Sequence, residues 1–278
     1  MKPFNYHTHT TFCDGSDAPE KYVEEALRCG LVALGFSAHG PVPFKTHWNI
    51  RERRLGEYCR AVRELQQRYA DRIKIRLGLE LDFIPGVTVD FASLKERLDL
   101  DYVIGSVHFV KPDNADDLWF IDGPEQGYKR HMETIYANNA ERAVTEYYRQ
   151  IALMAETQRP DLIGHLDKVK MHNRGRFFSE EADWYRRLVR ETLDAVARAG
   201  SIMEVNTRGI YKKRSSLFPD VWILEECRRR DIPVTISADA HKPEELGLEF
   251  DETVQILKDI GYGQIQVLHG KAWEGVEL

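Results

Sequence analysis

The sequence predicts a single-domain α/β fold whose parallel strands close into a barrel. Short apolar runs typical of buried strands alternate with amphipathic helices seven or eight times along residues 1–278, which is the pattern of consecutive βα units. α/β barrels of this length commonly fold as one domain. No Gly-x-Gly-x-x-Gly motif follows the first strand, so an open dinucleotide-binding sheet is disfavoured.

The predicted strands are short and mostly apolar. The first carries aromatic residues in alternation, and the second is apolar on both faces, as expected of a strand covered on both sides. The third alternates between apolar and polar residues. The strands are predicted at 2–6, 31–37, 73–82, 102–108, 162–167, 202–207 and 234–241, with a further candidate at 264–268.

Amphipathic segments between these strands predict the helices. The first has Pro19 in its first turn and ends at Gly30, and both are common helix-terminus signals. The others are predicted at 52–69, 91–98, 128–137, 139–158, 180–199, 220–230 and 250–259. The polar, aromatic-dotted stretch at 109–127 is longer than an ordinary connection, so we expect an inserted loop with a functional role.

Composition limits the classes of partner. The formal net charge of −6 provides no basic surface for nucleic acid. No run of about 18 apolar residues could span a membrane. The cysteines are scattered without Cys-x-x-Cys spacing, which favours reduced thiols in a cytoplasmic protein over a disulfide framework.

Side chains that can bind metal follow the predicted strands. Of the ten histidines, six lie at or just after the end of a strand, and two carboxylates occupy the same kind of position. These residues are His7, His9, His39, His108, His165 and His241, with Glu80 and Asp239. In a parallel barrel the strand ends meet on one face, and catalytic residues come from there. A separate structural role for each histidine would require the same coincidence several times over.

The first strand supplies two of these histidines. His7 and His9 point to the same face, roughly 6.5–7 Å apart along an extended backbone, and Asp14 follows in a turn that contains glycine. Two imidazoles at this spacing can bind one divalent ion when other ligands join them. Because an isolated His-x-His pair is often coincidental, this prediction depends on the other strand ends.

The number of ligand-type residues indicates more than one ion. Six imidazoles with Asp14, Glu80 and Asp239 exceed the three or four protein ligands of a single catalytic zinc site. Nine ligands suit two or three ions that share a bridging carboxylate, and a mixed imidazole and carboxylate set fits Zn, Fe or Mn. Clustered ions with open positions hydrolyse phosphate esters, because they activate water and stabilise the leaving alkoxide. The expected partner is therefore a small-molecule phosphate ester.

Two basic residues also follow strands on the predicted ligand face. Arg208 comes directly after the strand at 202–207, and Lys170 comes shortly after the strand at 162–167. Cations at the mouth of such a pocket recognise phosphate groups, so both are predicted to bind the substrate. The alternative for each residue is a solvated surface charge.

The ordered motifs of the chain resemble those of the polymerase and histidinol phosphatase (PHP) family. They are His7-Thr8-His9-Thr10 with Asp14, Phe36-Ser37-Ala38-His39, Gly78-Leu79-Glu80-Leu81-Asp82, Gly105-Ser106-Val107-His108, Gly164-His165 and Ser237-Ala238-Asp239-Ala240-His241. The resemblance spans nearly the whole chain. It implies a distorted (β/α)7 TIM-like barrel with a trinuclear metal centre at the C-terminal face of the strands.

The resemblance also implies which side chains hold each ion. The three groups would be His7, His9, Glu80 and Asp239; Glu80, His108 and His165; and Asp14, His39 and His241. Glu80 would thus bridge two ions. Several family members carry a histidine where this chain has Asp14, and Asp17 is close enough in sequence to be the ligand instead. Many also have an aspartate where this chain has Ala38.

Within the family, the chain is most similar to the monofunctional histidinol-phosphatases, through residues 35–41, residues 80–86 and the insertion at 109–127. This similarity implies hydrolysis of L-histidinol phosphate in histidine biosynthesis. One alternative is a nuclease or nucleoside-phosphate phosphatase of the same family. The other is a non-catalytic, metal-dependent binding module.

Positions along the sequence and the expected reaction suggest roles for residues around the ions. Arg208 would help to hold the phosphate, and Asp239, His241 or a metal-bound water would protonate the leaving group. In the long loop, Trp119 and Phe120 would either cap an imidazole-bearing substrate or anchor the loop.

Overall fold

A computed structural model describes residues 2–212 and 216–278 of the chain. Its strands are β1 (Phe4–Asn5), β2 (Ala33–His39), β3 (Lys74–Asp82), β4 (Tyr102–Ser106), β5 (Phe109–Val110), β6 (Trp119–Phe120), β7 (Leu162–Ile163), β8 (Ile202–Asn206), β9 (Val234–Ser237), β10 (Gln264–His269) and β11 (Ala272–Glu277). Seven of them form one sheet in the order β1-β2-β3-β4-β7-β8-β9, and its neighbouring strands are parallel.

The two edges of this sheet meet just beyond β1 and β9. Thr8 and Ala240 form a parallel bridge. The His9 N–H donates to the Ala240 carbonyl at 2.8 Å, and the Ala240 N–H donates to the His7 carbonyl at 3.0 Å. The sheet is therefore closed into a barrel, distorted because its strands vary from two to nine residues. This confirms the predicted α/β barrel.

Several barrel strands end earlier than predicted. β4 ends at Ser106, β7 at Ile163 and β9 at Ser237, whereas the predicted strands ran on into the proposed ligands. The backbone leaves the extended conformation at those residues, with φ of +20° at His165 and +51° at Asp239. Positive φ is uncommon outside glycine and often occurs where the surroundings hold a functional side chain in place.

The helices connect the strands. They are α1 (Pro19–Arg28), α2 (Leu55–Arg68), α3 (Phe91–Leu98), α4 (Glu125–Thr134), α5 (Ala140–Gln158), α6 (Asp183–Ala199), α7 (Arg208–Tyr211), α8 (Val221–Arg229) and α9 (Phe250–Ile260). Short 3₁₀ helices lie at Glu52–Arg54, Lys168–His172 and Pro243–Glu245. The helix predicted at 52–69 thus begins as a 3₁₀ turn, and α7 was not predicted. Within the described ranges, every helix is too short or too polar to cross a membrane.

β10 and β11 form a separate antiparallel hairpin outside the barrel. Trp273 in β11 lies edge-on to Tyr6 and Tyr102, with ring centroids 5.4 and 6.3 Å apart. The Arg76 side chain, near the start of β3, donates to the Leu268 carbonyl at 3.2 Å. The strand proposed at 264–268 therefore exists but is not a barrel strand. The hairpin covers the N-terminal ends of the barrel strands, opposite the end that carries the proposed ligands.

The segment predicted as an inserted loop contains a short hairpin. β5 and β6 pair antiparallel, and α4 begins at Glu125, inside the predicted range. Trp119 is fully buried and packs against Tyr128 and Tyr136, whereas Phe120 is partly exposed. Successive residues of a strand point to opposite sides. Trp119 therefore anchors the segment, and Phe120 faces the cavity described below.

Candidate metal centre

The C-terminal ends of the barrel strands place nine ligand-type side chains in one cluster. His7, His9 and Asp14 follow β1, His39 ends β2, Glu80 lies near the end of β3, His108 follows β4, His165 follows β7, and Asp239 and His241 follow β9. Seven of the nine are buried, and the other two, Asp14 and His241, are partly exposed. The structure thus brings together every residue that the sequence proposed as a ligand.

Glu80 lies at the centre of this cluster. Its carboxylate is buried, with 1 % of the side chain exposed. Five imidazole nitrogens lie within 3.6 Å of it: His165 Nε2 (2.9 Å) and His108 Nε2 (3.6 Å) from Oε1, and His39 Nδ1 (2.9 Å), His7 Nε2 (3.2 Å) and His9 Nε2 (3.5 Å) from Oε2. The two oxygens face different sets of imidazoles, which is the arrangement that a carboxylate bridging two ions requires.

Asp14 is surrounded by three histidines at the exposed side of the cluster. Its Oδ1 lies 3.9 Å from His9 Nδ1 and 3.7 Å from His39 Nε2, and its Oδ2 lies 3.3 Å from His241 Nε2. Asp17 instead accepts a hydrogen bond from the neighbouring serine hydroxyl. Of the two aspartates that the sequence left open, the structure brings Asp14 to the cluster.

Asp239, which follows the last barrel strand, lies close to the two histidines that follow the first strand. Its Oδ1 lies 3.3 Å from His9 Nε2, 3.7 Å from His7 Nε2 and 3.4 Å from His241 Nδ1. His9 therefore faces both Asp239 and the group around Asp14. The three groups of ligands overlap more than the resemblance implied, because one imidazole lies between two carboxylates.

Buried atoms without partners show what the cluster is arranged to bind. Among the described residues, His7 Nε2, His9 Nε2, His39 Nδ1 and Glu80 Oε2 lie close together but make no hydrogen bond of ordinary geometry, although buried polar atoms are normally satisfied. Ligand atoms lying within 4.8 Å of one another form three sets: His9, Asp14, His39 and His241; His7, His9 and Asp239; and His39, Glu80 and His108. The residues present therefore fit a cluster of metal cations held by imidazole and carboxylate groups.

The charges in the cluster are strongly coupled. Burial would raise the pKa of Glu80, but the surrounding histidines hold it well below its ordinary value. Burial lowers the pKa of His7, yet the carboxylates of Glu204 and Glu80 raise it well above its ordinary value. Against the effect of burial, Asp82 and Glu80 raise the pKa of His108 to about 9. The ionised carboxylates thus attract positive charge, which bound protons or metal ions can supply.

Two further carboxylates contact imidazoles of the cluster on the side away from Glu80 and orient them. Glu204 contacts His7 Nδ1 and accepts the His165 backbone N–H at 2.7 Å, and Asp82 Oδ1 lies 3.0 Å from His108 Nδ1. A histidine whose Nδ1 is held by a carboxylate presents Nε2 to the metal. No role was predicted from the sequence for either carboxylate. Two signals could have found them: Glu204 is a charged residue inside an apolar strand, and Asp82 lies two positions after Glu80.

A cavity of about 870 Å³ opens onto the cluster. Arg208 and Lys168 lie on its wall, with Arg208 Nε and Lys168 Nζ each 3.9 Å from Asp239 Oδ2. Trp48 and Phe120 form an aromatic wall, with nearly parallel rings whose centroids are 5.6 Å apart. A pocket that combines convergent charges with an aromatic surface suits a small phosphate ester whose other end carries a ring.

The structure does not bring Lys170 to this cavity. Its Nζ lies 2.7 Å from Asp167 Oδ2 and 3.4 Å from Asp220 Oδ2, and its side chain is 1 % exposed. Both lysines belong to the 3₁₀ helix at Lys168–His172. Of the two, Lys168 lines the cavity. A 3₁₀ helix has three residues per turn, so side chains two positions apart point in different directions.

Comparisons with known proteins agree on one family. The PHP domain profile matches residues 5–208. A protein named "Probable histidinol-phosphatase" from Deinococcus radiodurans is 31 % identical over 271 residues, which cover 95 % of this chain and 96 % of that protein. The Bacillus subtilis protein named "Histidinol-phosphatase" is 28 % identical over 268 residues, which cover 90 % of this chain and 98 % of that protein.

A solved structure shares the fold. The histidinol phosphate phosphatase of Lactococcus lactis, whose crystal contains zinc, L-histidinol and phosphate, matches with a TM-score of 0.71 at 22 % identity, over 98 % of this chain and 99 % of that one. The profile match covers most of the barrel, and the Deinococcus radiodurans relative aligns along nearly the whole chain. The chain therefore belongs to the PHP domain family.

Proposed function

We propose that this protein is a metal-dependent phosphomonoesterase that hydrolyses L-histidinol phosphate to L-histidinol and phosphate, a step of histidine biosynthesis in the cytoplasm. The bridging position of Glu80 carries the proposal, since its carboxylate faces five imidazoles beside a cavity with Arg208 on its wall. Two relatives that align over 90 % or more of this chain have names that state this activity. The Lactococcus lactis structure holds zinc with both products of the reaction.

Three ions of zinc, iron or manganese are proposed for the centre, held by the nine side chains of the cluster. Such ions supply Lewis acidity to the phosphoryl oxygens and activate water at neutral pH. The chain itself contributes the positions of the ligands. Glu204 and Asp82 hold two imidazoles with Nε2 directed at Glu80, so little rearrangement is required when cations bind.

Arg208 is proposed to orient the phosphoryl group. Its Nη1 donates to the Asp239 carbonyl at 2.7 Å and to Tyr211 Oη at 3.1 Å. These bonds fix the guanidinium plane beside the cluster, and a fixed guanidinium can donate two parallel hydrogen bonds to a phosphate. Asp239 and His241 lie on the same cavity wall, and we propose that one of them donates a proton to the leaving alkoxide.

The direct test is turnover of the proposed substrate. Protein loaded with metal is expected to release phosphate and L-histidinol from L-histidinol phosphate in equal amounts, because water attacks phosphorus and the alkoxide leaves. Colorimetric phosphate determination and chromatography of L-histidinol measure the two products independently. If the ester survives incubation with protein of verified metal content, the proposed activity is wrong.

Replacing Arg208 with alanine tests the proposed phosphate contact. The variant is expected to lower kcat/KM by about 10²-fold, or about 2.7 kcal/mol of transition-state stabilisation, while its metal content stays that of the wild type. Arg187→Ala is the matched control, since Arg187 is 70 % exposed and lies on α6. Wild-type kinetics in Arg208→Ala would show that Arg208 makes no contact with the phosphate.

A further inference from the structure

The cavity contains a loosely held ion pair that the proposed reaction does not yet use. Lys168 Nζ lies 3.4 Å from Asp122 Oδ2 and 3.9 Å from Asp239 Oδ2. Both distances exceed the roughly 2.7–2.9 Å of a short charge-assisted hydrogen bond. The Lys168 side chain is nevertheless only 4 % exposed. A buried ammonium with three donors thus makes two long contacts with carboxylates and lies 5.6 Å from the centroid of the Phe218 ring, which leaves it able to bind an anion that enters the cavity.

Lys168 lies beside the position at which a phosphoryl group would bind. It flanks the same oxygen of Asp239 as Arg208 does, and each cation is 3.9 Å from that oxygen. Asp239 also faces His7 and His9 in the cluster. A phosphate placed between the cluster and Arg208 would therefore be within reach of the Lys168 ammonium.

Asp122 lies on the other side of the lysine. It follows β6 in the inserted segment, its Oδ2 is 4.0 Å from His108 Nε2, and 29 % of its side chain is exposed. It lines the same cavity as Phe120 and Trp48. If Lys168 turned toward an anion, Asp122 would face the cavity without its ammonium partner, with the His108 imidazole still 4.0 Å away.

We propose that Lys168 and Asp122 form an exchangeable ion pair that recognises both ends of the substrate. The phosphoryl group binds the Lys168 ammonium. The ammonium of the substrate then replaces Lys168 as the partner of Asp122. L-histidinol phosphate carries both charges, with two carbon atoms between the ester oxygen and the nitrogen, so one molecule replaces one internal pair with two pairs. This inference rests on the proposed function, because it assigns the residues that recognise the substrate proposed there.

The exchange explains how the site would reject simpler esters. A phosphate ester without an ammonium also binds Lys168, but it leaves the Asp122 carboxylate without an ammonium partner in a partly buried place. An unpaired charge in such a place costs more free energy than an unpaired neutral group. Discrimination then arises from the loss of an existing pair, and not only from the absence of a new contact.

The test uses the two reaction products as separate probes. Calorimetric titrations of the metal-loaded protein with L-histidinol and with inorganic phosphate are made for the wild type, Asp122→Asn and Lys168→Met. Asp122→Asn is expected to weaken L-histidinol binding about tenfold or more while phosphate binds as well as before or better, because Lys168 is released. Lys168→Met is expected to give the opposite pattern, because Asp122 is released.

Asp116→Asn is the matched control, because Asp116 is an exposed acid in the same inserted segment. It should bind both probes as the wild type does. If each variant weakens both probes together, the pair has only a structural role and the exchange is wrong. Loss of metal from Asp122→Asn would make Asp122 a ligand and would also overturn the proposal. If the wild type binds phosphate but not L-histidinol, the proposed function itself fails, and the exchange fails with it.

Discussion

Replacing Glu80 with glutamine is expected to remove metal from the centre and to lower kcat/KM by about 10⁴-fold or more, equivalent to about 5.5 kcal/mol. The substitution keeps the size of the side chain but removes the charge that both sets of imidazoles face. A neutral amide cannot bridge two cations as a carboxylate does. Elemental analysis and kinetics on the same preparation measure both effects.

The control for this experiment is Glu96→Gln, which makes the same chemical change at an exposed position on α3. It is expected to keep wild-type metal content and activity. Near-ultraviolet circular dichroism of Glu80→Gln checks that the barrel is still folded. A folded Glu80→Gln variant with full metal content and wild-type kinetics would show that Glu80 is not the bridging group.

Selectivity for the substrate is the second large effect that we expect. At equal metal loading, kcat/KM for L-histidinol phosphate should exceed that for simple alkyl phosphates and nucleoside monophosphates by about 10⁴-fold, because a site built for polar groups is left unpaired by analogues that lack them. Trp48 and Phe120 provide a flat surface near the centre, which suits an imidazole ring. A panel of esters assayed under one set of conditions measures the ratio.

The panel also separates the rival activities. A nucleoside monophosphate or an oligonucleotide end that is hydrolysed faster than L-histidinol phosphate would contradict the role in histidine biosynthesis, while membership of the PHP domain family would stand. Equal rates for all the esters would mean that the cavity recognises only the phosphoryl group. Neither result would affect the barrel or the cluster of ligands.

The ligand positions could be predicted from sequence because the barrel repeats one geometric rule. Residues at the ends of parallel strands meet on one face, so His39, His108 and His165 could be placed together without knowledge of side-chain packing. The same rule identified the end of β9 as the source of Asp239 and His241. The local backbone at these strand ends was not predicted, since the positive φ values at His165 and Asp239 shorten the strands.

The residues that contact the proposed ligands or line the cavity beside them were harder to predict. Lys168 and Lys170 are two residues apart, and no sequence pattern indicated the 3₁₀ helix at Lys168–His172 that directs their side chains to different places. Glu204 lies within β8, and its partner His7 is far from it in the sequence. Asp122 depends on how the inserted segment folds over the barrel, and no periodic pattern encodes that. Tertiary packing determined these positions.

We propose that the nine side chains form a metal centre that hydrolyses the phosphate ester. The most direct test of this claim is phosphate release from L-histidinol phosphate by one preparation before chelation, after exhaustive chelation, and during stepwise return of Mn²⁺, Zn²⁺ or Fe, with bound metal measured at each step. Activity is expected to disappear with the metal and to return in proportion to the metal that is bound again. Full activity in a preparation verified to be free of metal would contradict the claim.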